Sequence, residues 1–234
     1  MKKPSYLYLL IYCLVSHGLL AQTKSAIKKS DSEKYFLSNV NDKRFKVHLK
    51  KLTERPHVAG SIENEQVRDY MTMIMNKAGF EVTQYPYDIY LSNKPGSSEL
   101  SIVRPQRIPL NQKEDILNED PFSSDPLLWK GWNAYSGNGD ATSEIVYVNY
   151  GRKEDFEMLK ELGVSIKGKI VLARYGGNFR GYKAKFAEAH GASGLIIYTD
   201  PKDSGFTKGL VYPEGPYYHS STIQRGSLLT EAFT

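Results

Sequence analysis

Residues Glu144–Tyr198 read EIVYVNYGRKEDFEMLKELGVSIKGKIVLARYGGNFRGYKAKFAEAHGASGLIIY, and they switch repeatedly between the two spacings that separate strands from helices. Glu144 to Tyr150 reads as a strand. Lys153 to Leu162 sets Phe156 and Leu159 three residues apart, on one helical face. Lys169 to Ala173 is a short apolar run and predicts a buried strand, punctuated on its near side by Gly163 and Gly168. Gly181 to His190 returns to helical spacing, with Ala184, Phe186 and Ala187 turned toward a neighbour, and Gly194 to Tyr198 closes the series as another strand. An order of strand, helix, strand, helix, strand predicts an α/β module.

Upstream the pattern is less regular. Ser61 can cap a helix whose apolar positions are Val67, Tyr70, Met71, Ile74 and Ala78, and Gly79 is placed to end it. Phe80 to Leu91 alternates with Tyr85, Tyr87, Ile89 and Leu91 on one side, which predicts a strand paired with Leu100–Val103 across the turn at Asn93–Gly96. From Pro105 to Asn138 four prolines, Trp129 and Trp132 interrupt any period. This stretch reads as a long connection between two bodies, with a domain transition near residue 100.

The chain has 234 residues, 40% of them hydrophobic, enough for an ordinary globular core. Its N-terminus sets Lys2 and Lys3 before the apolar run Tyr6–Val15, and Leu19-Leu20-Ala21 offers a cleavage site. That is the pattern of a secretory signal over residues 1–21, so the protein is expected to be secreted or periplasmic. Ser16, His17 and Gly18 keep the apolar stretch short of the roughly 20 residues a spanning helix needs. A membrane enters the reading only if this segment stays uncleaved. The single cysteine, Cys13, lies inside it, so a mature chain would have no disulfide and would rely on its core or a bound metal. The formal charge of +5 falls to +3 once Lys2 and Lys3 leave, and acids and bases interleave along the rest. No basic stripe tracks phosphates, which excludes nucleic acid as a partner.

Little catalytic chemistry is visible in the residues alone. His48, His57, His190 and His219 show no helical pair at ligand spacing and no His-x-Asp, so no metal ligand is expected in this chain. There is no Gly-x-Ser-x-Gly elbow, and a mature chain without cysteine has no thiol nucleophile. The segment Arg174–Gly181 is glycine-rich and joins a strand to a helix, but it lacks the Lys-Ser/Thr ending and the dinucleotide spacing of phosphate loops. It does bring two guanidinium groups, Arg174 and Arg180, which can grip a carboxylate through paired hydrogen bonds. Pairing with acidic neighbours such as Asp200 or Glu188 is the structural alternative; for Arg174 it is favoured, and for Arg180 it stays open.

Arg174-Tyr175-Gly176, Phe179-Arg180-Gly181 with Lys183, then Ala189, Gly191-Ala192 and Gly194, and finally Gln224-Arg225-Gly226, together resemble glutamate carboxypeptidase II and the transferrin-receptor-like family. The likeness runs upstream through Val146–Tyr150, Glu154-Asp155-Phe156 and Gly168–Val171 to Leu52-Thr53 and Pro56–Gly60, covering the chain from about Lys46 to Ala232. It implies an α/β fold, in which a partial zinc-peptidase-like N-terminal segment is followed by a protease-associated domain with a mixed sheet and flanking helices. On that reading residues 1–21 are the signal, 22–45 a linker and first helix, 46–100 the N-terminal part of the peptidase-like domain, and 101–234 the protease-associated domain, truncated at its C-terminal side. The whole enzyme would be a metallopeptidase of carboxypeptidase type with two zinc ions. Its metal ligands and catalytic glutamate would lie beyond Thr234, leaving this chain inactive alone.

The same resemblance implies that Arg180 binds a substrate carboxylate, so the expected partner is a peptide with a free C-terminal carboxylate. Family members that cleave glutamate carry lysine and asparagine where this chain has Gly177 and Ser227. Ser227 keeps a donor and is assigned to substrate binding with Arg180, whereas Gly177 supplies none; a relaxed or different terminal-residue preference follows. The family's usual assembly is a homodimer. Two alternatives remain: a transferrin-receptor-like binding protein without catalysis, and a stand-alone protease-associated module.

Overall fold

The computed structural model describes residues 30–212 and 214–230, so the signal segment lies outside the described residues. The chain forms two compact units, divided between Leu49 and Lys50. In the first, helix α1 spans Asp31–Asn39, with the Ser30 hydroxyl accepting a hydrogen bond from the Glu33 amide. Helix α2 begins there at Asp42 and runs to Leu52.

The second unit starts with the helix that the capping pattern predicts. Helix α3 spans Ile62–Lys77; the Ser61 hydroxyl accepts from the Asn64 amide at 3.2 Å, and Gly79 follows its end at a φ of +90°. None of its residues is fully buried. The strand expected over Phe80–Leu91 does not form. Tyr85, Tyr87 and Ile89 are more than 70% exposed, and Ser101–Ile102 (β1) pairs antiparallel with Ile108–Pro109 (β2) instead. Alternation says which face a side chain would take, but a strand exists only where a second edge meets its amides and carbonyls. Among the described residues no edge meets 80–91.

The α/β module forms as its periodicity predicts. Ile145–Tyr147 (β4), Ile170–Arg174 (β5) and Gly194–Tyr198 (β6) make a three-stranded sheet in the order β4-β5-β6, parallel throughout. Lys153–Glu161 (α4) and Arg180–Ala189 (α5) are the crossovers. Phe156, Val171, Ala173, Val148 and Ala187 form the centre of the core, and Phe156 is completely buried. Burial of that ring contributes about 1.5–3 kcal/mol. Helix α4 starts sharply because the Asp155 carboxylate accepts from the Arg152 amide at 2.9 Å and from the Asn149 side chain at 2.9 Å.

Asn133–Ala134 (β3) pairs in parallel with Gly226–Ser227 (β7). The connection before β3 carries an edge-to-face pair of Trp129 and Trp132, and Pro201–Ser204 is a single helical turn, α6. The molecule thus has an α/β fold of small sheets with flanking helices. No helix among the described residues is long and apolar enough to cross a membrane.

Candidate functional site

In a parallel sheet the connections that leave the carboxyl ends of the strands lie along one rim. Here those connections are 148–152 after β4, 175–179 after β5 and 199–200 after β6. Tyr150 and Asp200 lie in these connections, Arg174 ends β5, Arg180 and Lys183 lie in the first turn of α5, and Asp203 lies in α6.

Arg180 is the first residue of α5 and is half-buried. Its Nε donates to the Ser227 carbonyl oxygen at 3.3 Å, and its guanidinium lies 5.9 Å from the centre of the Tyr175 ring. A Cβ at position 226 would overlap the guanidinium, so only glycine lets β7 run against it. The converse holds at position 181, where a Cβ would strike the carbonyl oxygens of Leu228 and Leu229. Phe-Arg-Gly and Gln-Arg-Gly therefore interlock, each glycine admitting the backbone or side chain of the other segment. The structure brings Arg180 and Ser227 together, and they touch through the serine's main-chain oxygen. Among the described residues no carboxylate lies within ion-pair distance of Arg180.

The other two arginines of these motifs are neutralised. Arg174 reaches Asp200 at 3.4 Å and Asp203 at 3.6 Å, stacked 3.9 Å over the Tyr150 ring, which agrees with the pairing favoured for it. The Tyr198 hydroxyl donates to Asp200 at 2.9 Å, and the Lys202 amide does the same at 2.9 Å. That amide, followed by Tyr198 and Arg174, outweighs burial and holds the Asp200 carboxyl below the usual aspartate value. Burial, then the bond to Asp200, pushes the Tyr198 phenol up. Arg225 meets Glu114 with two bonds, 2.6 and 2.8 Å, and also donates to the Trp129 and Ile223 carbonyls. Burial raises the Glu114 pKa, but the Arg225 bonds prevail and leave it below 4.5.

Gly177 adopts a φ of +77°, and a Cβ there would lie 2.7 Å from Arg152 Nε and 2.8 Å from Tyr150 Cβ. The loop thus requires glycine at this position. A groove of about 760 Å³ adjoins the site, lined by Trp132, Asn133, Tyr175, Tyr198 and Gln224. Arg180 and Ser227 do not line it, yet Tyr175 connects the two, since its hydroxyl donates to the Gln224 carbonyl at 2.8 Å.

Sequence reasoning missed the role of Lys183. It is completely buried, and its ammonium donates to the Tyr150 carbonyl, the Gly176 carbonyl at 2.7 Å and the Asn178 side-chain oxygen at 2.7 Å. The available signal was its place one turn before Ala187, on the inward stripe of α5.

The histidines are engaged locally. His57 Nδ1 lies 2.9 Å from the Arg55 carbonyl; His190 Nδ1 lies 2.8 Å from the Phe186 carbonyl, with its ring stacked on Phe156; His219 contacts Ser221. Among the described residues no group of three or more His, Cys, Asp or Glu is arranged to hold a metal ion.

Comparison with known proteins matches residues 134–229 to the PA domain. The probable glutamate carboxypeptidase of Arthroderma benhamiae is 42% identical over 178 residues, covering 74% of this chain and 24% of that protein. The glutamate carboxypeptidase 2 homolog of Caenorhabditis elegans is 34% identical over 215 residues, covering 87% of this chain and 27% of that protein. The chain belongs to the glutamate carboxypeptidase II-like family. A further relative in it, aminopeptidase NAALADL1 of Rattus norvegicus, is 29% identical over 205 residues, covering 82% of this chain and 27% of that protein. The chain spans about a quarter of the length of these relatives. Within this peptidase family the interlocked glycine motifs and Arg180 fall inside the PA-domain match.

Proposed function

We propose that this chain is the N-terminal part of a secreted, zinc-dependent metallopeptidase of carboxypeptidase type, and that it contributes recognition of the substrate's terminal carboxylate. The observation that carries the reading is Arg180. Its guanidinium is held by Gly226, Ser227 and Tyr175 at the carboxyl ends of a parallel sheet, with no carboxylate partner among the described residues. A guanidinium so placed offers its remaining N–H groups to a planar anion in a defined direction. Ser227, in contact with it, places a hydroxyl-bearing side chain at the same corner.

When bound, two zinc ions would supply the activated hydroxide that attacks the terminal peptide bond. The described residues contain no donor set that fits such a pair, so their part is confined to binding and orientation. Arg180 fixes the carboxylate, which places the scissile bond relative to the reacting group and lowers the entropic cost of attack. Gly177 brings no charge to the corner, so discrimination for an acidic terminal side chain is weak. The chain by itself is inactive on peptides, and the whole protein assembles as a homodimer.

The test is a pair of peptides differing only in a free or amidated C-terminus, offered to the full-length protein. A carboxypeptidase reading requires strong preference for the free acid and indifference to N-terminal acetylation. The reverse pattern, cleavage that needs a free amine, would assign an aminopeptidase and remove the role given to Arg180.

A further inference from the structure

We propose that Lys183 is the positioning residue of this carboxylate site: its buried ammonium ties the loops after β4 and β5 to helix α5 and so fixes where Arg180 meets substrate. The inference rests on the recognition reading above.

Lys183 lies one helical turn after Arg180, and its side chain returns toward the start of α5. Its three N–H groups meet three oxygens: the Tyr150 carbonyl of the first loop, and the Gly176 carbonyl and Asn178 side chain of the second. Asn178 then donates to the Gly151 carbonyl at 3.0 Å, so the two loops are also joined directly. A buried ammonium is costly unless every N–H is satisfied, and a hydrophobic residue of similar size would cost less. The cation is retained where it can hold one arrangement of the Gly176–Asn178 segment, the segment that delivers Phe179 and Arg180 to the helix.

The state of this lock depends on protonation. Two charged groups act on Lys183: Asp155 in the first turn of α4 favours the ammonium, and Arg152 opposes it. The β5–α5 loop presents only a carbonyl and an amide. Burial is the largest influence and lowers the pKa to about 8. An uncharged amine has two N–H groups for three acceptors, and its lone pair faces a carbonyl. The loops should therefore loosen above pH 8. Global stability moves the other way: between about 8 and 10.5 the unfolded chain binds the extra proton, so this group's contribution to stability rises with pH across that window. Local loosening without global destabilisation distinguishes a positioning lock from a general structural role.

The experiment uses the full-length protein as wild type, Lys183→Met and Arg180→Ala, with free-acid and amidated versions of one peptide. Kinetics are measured at pH 7 and 9, together with hydrogen exchange over residues 175–180, corrected for intrinsic rates. For the wild type the free-acid KM should rise roughly threefold to tenfold from pH 7 to 9 with kcat little changed, while loop protection falls. K183M should show the raised KM already at pH 7 and no further rise. A flat wild-type profile overturns the proposal, as does a folded K183M with normal KM; should K183M not fold, the wild-type profile decides alone. If Arg180→Ala leaves the preference for the free acid unchanged, the recognition reading has failed, and the proposal falls with it even where loop protection behaves as expected.

Discussion

Arg225 and Arg180 stand on segments that interlock, and they differ in what meets their charge. Arg225 is closed off by Glu114 with two parallel bonds and by the Trp129 and Ile223 carbonyls. Arg180 packs against Gly226 and, among the described residues, meets one main-chain carbonyl at 3.3 Å and one ring, with no carboxylate. A guanidinium with a carboxylate of its own holds polypeptide together. One that is fixed in place and lacks that partner can hold a ligand.

Replacing Arg225 with alanine should break the comparison at its structural end, with the largest effect. It leaves Glu114 half-buried without its counter-charge, and a loss of about 3 kcal/mol in urea unfolding is expected. A loss below about 1 kcal/mol would place the pair among ordinary surface ion pairs and erase the contrast. Arg180→Ala tests the other end: KM for a free-acid peptide should rise tenfold to a hundredfold, about 1.4–2.7 kcal/mol, with stability changed by less than about 1 kcal/mol. An unchanged KM would show that the guanidinium binds nothing. Gly226→Ala sharpens both, because the added methyl displaces Arg180. A cost of about 1–2 kcal/mol in stability, together with a KM shift in the same direction as R180A, is expected.

The smallest effect is acid sensitivity. The folded Glu114 pKa lies below 4.5, so the pair's contribution is fully present above pH 4.5 and is lost as pH falls through the folded value. Unfolding midpoints of wild type and Glu114→Gln should differ most near neutrality and converge in acid. Curves that stay parallel down to pH 2 would deny Glu114 its role.

The α/β module was legible because its strands and helices carry their own periods, and Phe156 and Leu159 could be assigned inward from spacing alone. The Ser61 cap and the Gly79 stop were legible for the same local reason. The alternation at Tyr85, Tyr87 and Ile89 misled, since the reading supplied a partner edge that residues 100–103 give to 108–109 instead. At the site, the Arg174–Asp200 pair could be foreseen from charge and proximity. The Lys183 lock could not, because its three acceptors come from positions 150, 176 and 178 and two of them are main-chain oxygens, which no residue type announces.

What the residues settle unaided are the properties confined to a few neighbours along the chain: where helices start, which positions face inward, and the family resemblance of Phe179-Arg180-Gly181 and Gln224-Arg225-Gly226. Which arginine meets a carboxylate, and which meets a main-chain carbonyl instead, depends on contacts across 111 and 47 residues of sequence. Charge compensation acts through space over a few ångströms, so it is set by packing and not by order along the chain.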